Sequence, residues 1–301
     1  MDAARNSTDD FNPFHDPYKW QRIKDNPFSG PIALGFQLEA LAAHQIELHR
    51  NFTGEVELIA EHQLNFANYQ VSFADVVNPG DEVEVDIRPT KKRLDSTPQL
   101  SNRLTIRKGR QPVLIGYQRE SQTPLVLEHV DFSSLVGLER AADRSFIEEG
   151  TFFLKRKFMN NSNAKNFLIG SLVEQHYYFD ELEDRVRYPG MFPVALVSCA
   201  LLEKAHLENY DFYLNPMVYT SHEVSIERSL LSHLKSNDRL HLLVQGPDKL
   251  IGEKGLGKSS IPQVCYQCFG LVNSNDVLFR ARVNMALLKD VVGAVGSRSN
   301  T

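Results

Sequence analysis

Hydrophobic positions along this chain follow two periods, a helical one and then an alternating one. From Pro31 to about Arg50, the residues Ile32, Phe36, Leu38, Leu41, Ala42, Ile46 and Leu48 fall largely on one broad apolar face, which predicts a long buried helix. After it the period drops to two. Residues 62 to 77 alternate around Leu64, Phe66 and Val71, and the turn Asn78-Pro79-Gly80-Asp81 leads into residues 82 to 88, where Val83, Val85 and Ile87 repeat at every second position. Residues 100 to 107 and 112 to 119 are predicted to pair across Lys108-Gly109-Arg110-Gln111. One long helix followed by antiparallel strands able to wrap it is an α+β unit.

The second half repeats this order. Residues 152 to 158 read as a strand, and Tyr188-Pro189-Gly190 opens an apolar helix running to about His206, the counterpart of the Gly30-Pro31 entry. Residues 222 to 230 alternate, Ser236-Asn237-Asp238 mirrors Pro79-Gly80-Asp81, and residues 240 to 245 mirror the Val83 run. Residues 261 to 272 and 277 to 287, joined by Asn273-Ser274-Asn275-Asp276, close the set. Repetition of a whole supersecondary unit predicts a duplicated fold. The boundary lies within residues 121–146, giving a first unit of residues 1–125, a linker of residues 126–146 and a second unit of residues 147–301.

Composition narrows the class. The chain has 301 residues, 42% of them hydrophobic, enough to build two cores unaided. A net charge of -5 and a pI near 6.1, with no basic stretch, argue against a nucleic acid or an anionic membrane surface as partner. The opening MDAARNSTDD is too polar for a secretory signal, and no apolar run reaches membrane-spanning length. Three cysteines do not make a disulfide framework. Together these features predict a cytoplasmic protein.

Candidate chemistry is concentrated just ahead of the first helix, where Asp10, Asn12 and His15 stand within six residues. Pro13 fixes its own φ and pushes Asn12 into an extended conformation, so the segment reads as a rigid turn on which the three side chains can converge. A carboxylate and an imidazole flanking one water can take a proton from it and protonate a neighbouring carbon, if an amide holds the water between them. The plainer alternative is that Asp10 or Asn12 caps a short helix starting near Pro13.

The pattern D-x-N-P-x-H over residues 10–15, followed by F-x-G-P-I-A-x-G over residues 28–35, resembles the signature of the MaoC-like (R)-specific enoyl-CoA hydratases and 3-hydroxyacyl thioester dehydratases. The resemblance implies a double hotdog, with two long central helices each wrapped by an antiparallel sheet. It also implies a hydro-lyase that interconverts trans-2-enoyl and (R)-3-hydroxyacyl thioesters of coenzyme A or an acyl carrier protein, with no cofactor and no metal. Asp10 and His15 would be the acid/base pair, Asn12 would position the water, and Ile32 and Gly35 would meet the substrate. Free amides at the helix start carry partial positive charge, so Gly35 and its neighbours could polarise the thioester carbonyl. A double hotdog already contains a pseudo-dimer, so either a monomer or a homodimer fits. Two further readings share the fold: a non-catalytic subunit that binds or assembles acyl thioesters, and a hotdog thioesterase.

Several features depart from that pattern or imitate others. The second half offers Ser171 to Tyr178 in place of the motif, with no aspartate, so it is expected to shape a tunnel for the acyl tail, with His176 or Tyr178 as candidate cavity residues. Only nine residues precede Asp10, where the family has a strand and a helical turn, so the first sheet edge is expected to need cover from the linker or a partner chain. Glu39 invites comparison with the helix glutamate of bacterial β-hydroxyacyl-ACP dehydratases but reads as an ordinary polar helix residue. Gly252 to Ser259 fits G-x-x-x-x-G-K-S, yet Pro262 and β-branched residues follow where a phosphate loop needs a helix. Cys265 and Cys268, three apart on a predicted strand, point to opposite faces and suit no metal. His44, His49, His62 and His241 show no metal-ligand spacing.

Overall fold

The computed structural model describes residues 1–127, 132–133, 135, 137–250, 261–273 and 275–298. The lead-in to the first long helix is held extended by its own backbone. Ile32 N–H donates to the Phe14 carbonyl at 3.0 Å and Ala33 N–H to the Val77 carbonyl at 2.8 Å, so the helix begins at Gly35 rather than at Pro31. After a short N-terminal helix, α1 (Asp2–Ser7), this helix, α2 (Gly35–Phe52), buries Leu38, Ala42 and Ile46 against Val71, Leu104 and Ile106. Leu48, assigned to the same apolar face, stands on its outer flank at 37% exposure.

A short helix, α3 (Glu55–Glu61), turns the chain into β1 (Phe66–Phe73), β2 (Glu84–Ile87), β3 (Lys91–Arg93), β4 (Gln99–Lys108) and β5 (Gln111–Ser121). In the second half β6 (Ser145–Ile147), β7 (Phe152–Phe158) and α4 (Asn161–Gly170) precede a two-residue ladder of β8 (Phe179–Asp180) and β9 (Arg185–Val186). The second central helix is built from α5 (Met191–Ala195) and α6 (Val197–Leu207). Then come β10 (Met217–Glu227), α7 (Arg228–His233), β11 (Arg239–Leu250), β12 (Gln263–Val272), β13 (Asp276–Leu287) and α8 (Leu288–Arg298). The alternation from residue 222 therefore ends at Glu227, where α7 takes over.

Among the described residues, eleven strands form one antiparallel sheet in the order β2-β4-β5-β1-β10-β13-β12-β11-β7-β6, with β3 also paired to β4. The internal repeat is visible in this order, because β1, β5, β4 and β2 occur on one side of the middle as β10, β13, β12 and β11 do on the other. The halves join through β1 and β10, in register from Phe66↔Glu227 to Ser72↔Ser221. Among the described residues β7 has no counterpart in the first half, and β2 and β3 end the sheet there. That edge is blunted, because its strands are short and Lys91, Lys92 and Arg93 are exposed along it.

The N-terminal segment crosses to the other half. α1 packs on α4, where a Cβ at Gly170 would come within 2.6 Å of the Ala4 methyl, and Lys24 N–H donates to the Tyr213 carbonyl at 2.8 Å. Arg50 of α2 and Glu120 of β5 form a buried ion pair beneath the junction, and half-exposed Arg228 of α7 joins it from the outside.

The sequence features outside the first motif find structural places. Gly252 to Ser259 lies outside the described residues, and a strand, β12, follows that segment. Cys265 and Cys268 on β12 are buried free thiols. His44 lies beside the Tyr178 hydroxyl at 3.3 Å, and His49 lies 3.5 Å from Thr90 Oγ1. His241 is 1% exposed, and burial, with Arg156 and Arg239 adding to it, brings its imidazole down to about 4. Its folded pKa lies below the ordinary value near 6.5, so the unfolded chain binds the extra proton in between. Conformational stability is expected to fall as pH drops from about 6.5 to about 4 and to recover this component in His241→Gln, measured by urea denaturation at each pH.

Candidate active site

The site is assembled by turns that leave few bonds free. α1 ends with Asp9 in the left-handed region, φ 53°, and Asp10 N–H closes back onto the Arg5 carbonyl at 3.0 Å, which aims the Asp10 side chain away from the helix. Asp10 Oδ1 accepts from Asn12 N–H at 2.8 Å, and Asn12 Oδ1 accepts from Phe14 N–H at 3.1 Å. Asn12 is thus the cap of a single 3-10 turn, Pro13–His15, with its Nδ2 amide left to donate elsewhere. The capping reading of Asn12 holds together with any chemical role.

His15 is 5% exposed and its tautomer is set by the helix lead-in. Nδ1 donates to the Ile32 carbonyl at 2.8 Å, which leaves the lone pair on Nε2. Ile32 clamps the motif from both sides, since its own N–H donates to the Phe14 carbonyl. The distant positions 15 and 32 are therefore held together through backbone atoms, with no demand on the Ile32 side chain beyond packing against Phe14, Ile23 and Leu288.

A cavity of about 540 Å³ opens beside this turn. Asn12, His15, Ile32 and Gly35 line one end, and the rest is chiefly apolar, including Leu201, Met285 and Val291 from the second half. Asp10 stands behind this wall, outside the lining, and is 4% exposed. Its second oxygen, Oδ2, accepts from Ser198 Oγ on α6 at 2.5 Å, and Ser198 Oγ in turn accepts from the Tyr219 hydroxyl at 3.1 Å. Burial, reinforced by the Asp10 charge, pushes the Tyr219 hydroxyl well up, so it stays a donor.

Gly35 opens α2 at the cavity wall, where the first amides of the helix have no acceptor from a preceding turn. Its lack of a side chain also serves packing: a Cβ there would stand 2.7 Å from Phe73 Cζ and 3.4 Å from Tyr219 Cδ2. Gly35→Ala is expected to displace the Phe73 ring into the cavity and to cost about 1–3 kcal/mol of stability, read from the denaturation midpoint.

The second-half residues thought to line a cavity do something else. Tyr178 is 4% exposed and donates to Glu47 Oε2 at 2.9 Å, and neither it nor His176 borders the cavity. Glu39 is not an ordinary polar helix residue either. It is 1% exposed and paired at 2.5 Å with His222 of β10, an imidazole enclosed by Phe36, Phe73 and Tyr219. Its partner lies 183 residues away, so nothing local could show it. Ser198 and Tyr219 were missed for the same reason. The single signal was a hydroxyl inside the apolar run Val197-Ser198-Cys199-Ala200.

No protein-family model matches the sequence, and no curated protein matches it. Solved structures do. A putative MaoC domain protein dehydratase from Chloroflexus aurantiacus superposes with a TM-score of 0.55 at 9% identity, over 95% of this chain and 90% of that one. A protein from Mycobacterium tuberculosis described as having a double hotdog fold gives 0.53 at 12% identity, over 95% and 90%. A further MaoC-like dehydratase gives 0.51 at 11%, over 95% and 93%. The long helix of each half, the continuous antiparallel sheet and these likenesses agree: the chain has a double hotdog fold.

Proposed function

We propose that this chain is a hydro-lyase that adds water to trans-2-enoyl thioesters to form (R)-3-hydroxyacyl thioesters, and the reverse, with the acyl group carried on coenzyme A or an acyl carrier protein. The observation that carries the reading is His15: its Nδ1 proton is committed to the Ile32 carbonyl, so a basic Nε2 belongs to a side chain on the wall of an apolar cavity, beside Asn12 and Gly35. Nε2 takes a proton from water as the water oxygen bonds to C3, and the C2–C3 π electrons move toward the thioester oxygen. The leading amides of α2, at Gly35 and Phe36, stabilise that developing oxyanion. Asn12 Nδ2 holds the water, and buried Asp10 is the anionic member of the pair that stabilises the imidazolium until its proton passes to C2. The apolar remainder of the cavity takes the acyl tail. The chain divides in this reading into a catalytic first unit, residues 1–125, and a second unit from residue 147 that supplies cavity wall.

The test is turnover of crotonyl-CoA and longer enoyl thioesters by wild type, Asp10→Asn and His15→Ala. Hydration by wild type and its loss in both variants is expected. Equal turnover by all three removes the site, and thioester binding without turnover by wild type makes the chain a binding subunit.

A further inference from the structure

In a regular strand, residues three apart face opposite sides of the sheet. Tyr219 and His222 on β10 do not obey this. Their rings are 4.5 Å apart, and both pack against Phe36 of α2, at 6.0 Å for Tyr219 and 4.6 Å for His222. The ladder explains it: Tyr219 pairs with Met285 and Ser221 with Asn284, so Thr220 is an extra residue, a bulge, in β10 opposite consecutive residues of β13. Below the bulge the alternation is regular, with His222, Val224 and Ile226 buried toward the helices, while Glu223 reaches Arg282 and Ser225 reaches Asn68 on the other side. Were Thr220 instead paired in a regular ladder, Tyr219 would join that other face.

A bulge distorts the ladder and persists where re-aiming a side chain compensates. Here the re-aimed hydroxyl reaches Ser198, whose own hydroxyl reaches Asp10. Ser198 is 1% exposed and cannot turn to water for another partner. We propose that Tyr219 is a positioning residue of the active site: the bulge takes Thr220 out of the ladder and so keeps Tyr219 on the helix face, and the chain Tyr219 Oη–H→Ser198 Oγ–H→Asp10 Oδ2 fixes the Asp10 carboxylate. The role of Asp10 rests on the hydro-lyase reading, but the hydrogen-bond chain does not. The half that lacks the D-x-N-P-x-H motif thus contributes to the reaction through two hydroxyls on α6 and β10, one of them kept on the helix face because Thr220 bulges out of the ladder.

Two arms test this. In the first, the tyrosine Cζ resonance of Tyr219, assigned with Tyr219→Phe in ¹³C-labelled protein, is compared in wild type, Ser198→Ala and Asp10→Asn. A shift in both variants is expected, and an unmoved Tyr219 signal in Asp10→Asn overturns the chain. In the second, Tyr219→Phe is assayed for hydration. A fall in kcat of about tenfold, with KM within about twofold, is expected for loss of one buried positioning hydrogen bond. An unchanged kcat in this variant, which keeps the ring and so the packing, overturns the role. If wild type hydrates no enoyl thioester, the hydro-lyase reading fails while the resonance arm still decides the chain.

Discussion

His15→Ala is expected to lower kcat for enoyl-thioester hydration by about 10²–10⁴-fold, the usual cost of removing a positioned general base. Burial and geometry set the size. The ring is 5% exposed and its Nδ1 is locked to the Ile32 carbonyl, so no bulk-water base can take its place at the wall of the cavity. KM should change much less, because the cavity proposed for the acyl tail is lined mainly by apolar side chains that the substitution leaves in place. His15→Gln separates the two parts of the role. Glutamine can restore a donor to the Ile32 carbonyl but has no basic nitrogen, so it should recover folding stability and none of the rate. Steady-state kinetics with a denaturation midpoint for each variant checks this, and a His15→Gln enzyme as active as wild type would exclude the imidazole as base.

Glu120→Ala is expected to destabilise the protein by about 3–5 kcal/mol, the range for breaking a buried ion pair and leaving charge uncompensated. Glu120 is fully buried at 0% exposure, its Oε1 meeting Arg50 and its Oε2 accepting from Arg228 Nε at 2.9 Å. Arg50 is itself 2% exposed, so the variant strands a guanidinium in the core with Asn102 Oδ1 as its remaining acceptor. Urea denaturation with an unchanged slope and a lowered midpoint is the measurement.

The same residue makes an acid-stability prediction. Burial pushes the Glu120 carboxyl up, but the Arg228 and Arg50 guanidiniums outweigh it and hold the group below its ordinary range. A folded pKa below the unfolded value means the stabilisation is complete above about 4.3 and is lost as pH falls through the folded value. Glu120→Gln should flatten that part of the acid limb while lowering stability at neutral pH.

How much of this was legible beforehand follows from the range over which each contact acts. Helix α2 and the strands of both halves were visible as periods of 3.6 and 2, because one face of each is buried continuously. The duplication was visible because the two halves repeat the same order of elements. The start of α2 was misplaced by four residues, since the bonds that keep residues 31–34 extended come from Phe14 and Val77, far along the chain.

Sequence alone determined the local turn: Asp10 accepts from Asn12 N–H and Asn12 from Phe14 N–H on a segment stiffened by Pro13. Local covalent geometry fixes such a turn, so it survives reading from one dimension. Tertiary structure decided what surrounds it. Asp10 is held by Ser198, Glu39 by His222, and Tyr219 faces the site because of one bulged residue on β10. Those partners are set by how two halves dock and by where a ladder slips. Neither leaves a periodic trace, so only the folded chain brings them together.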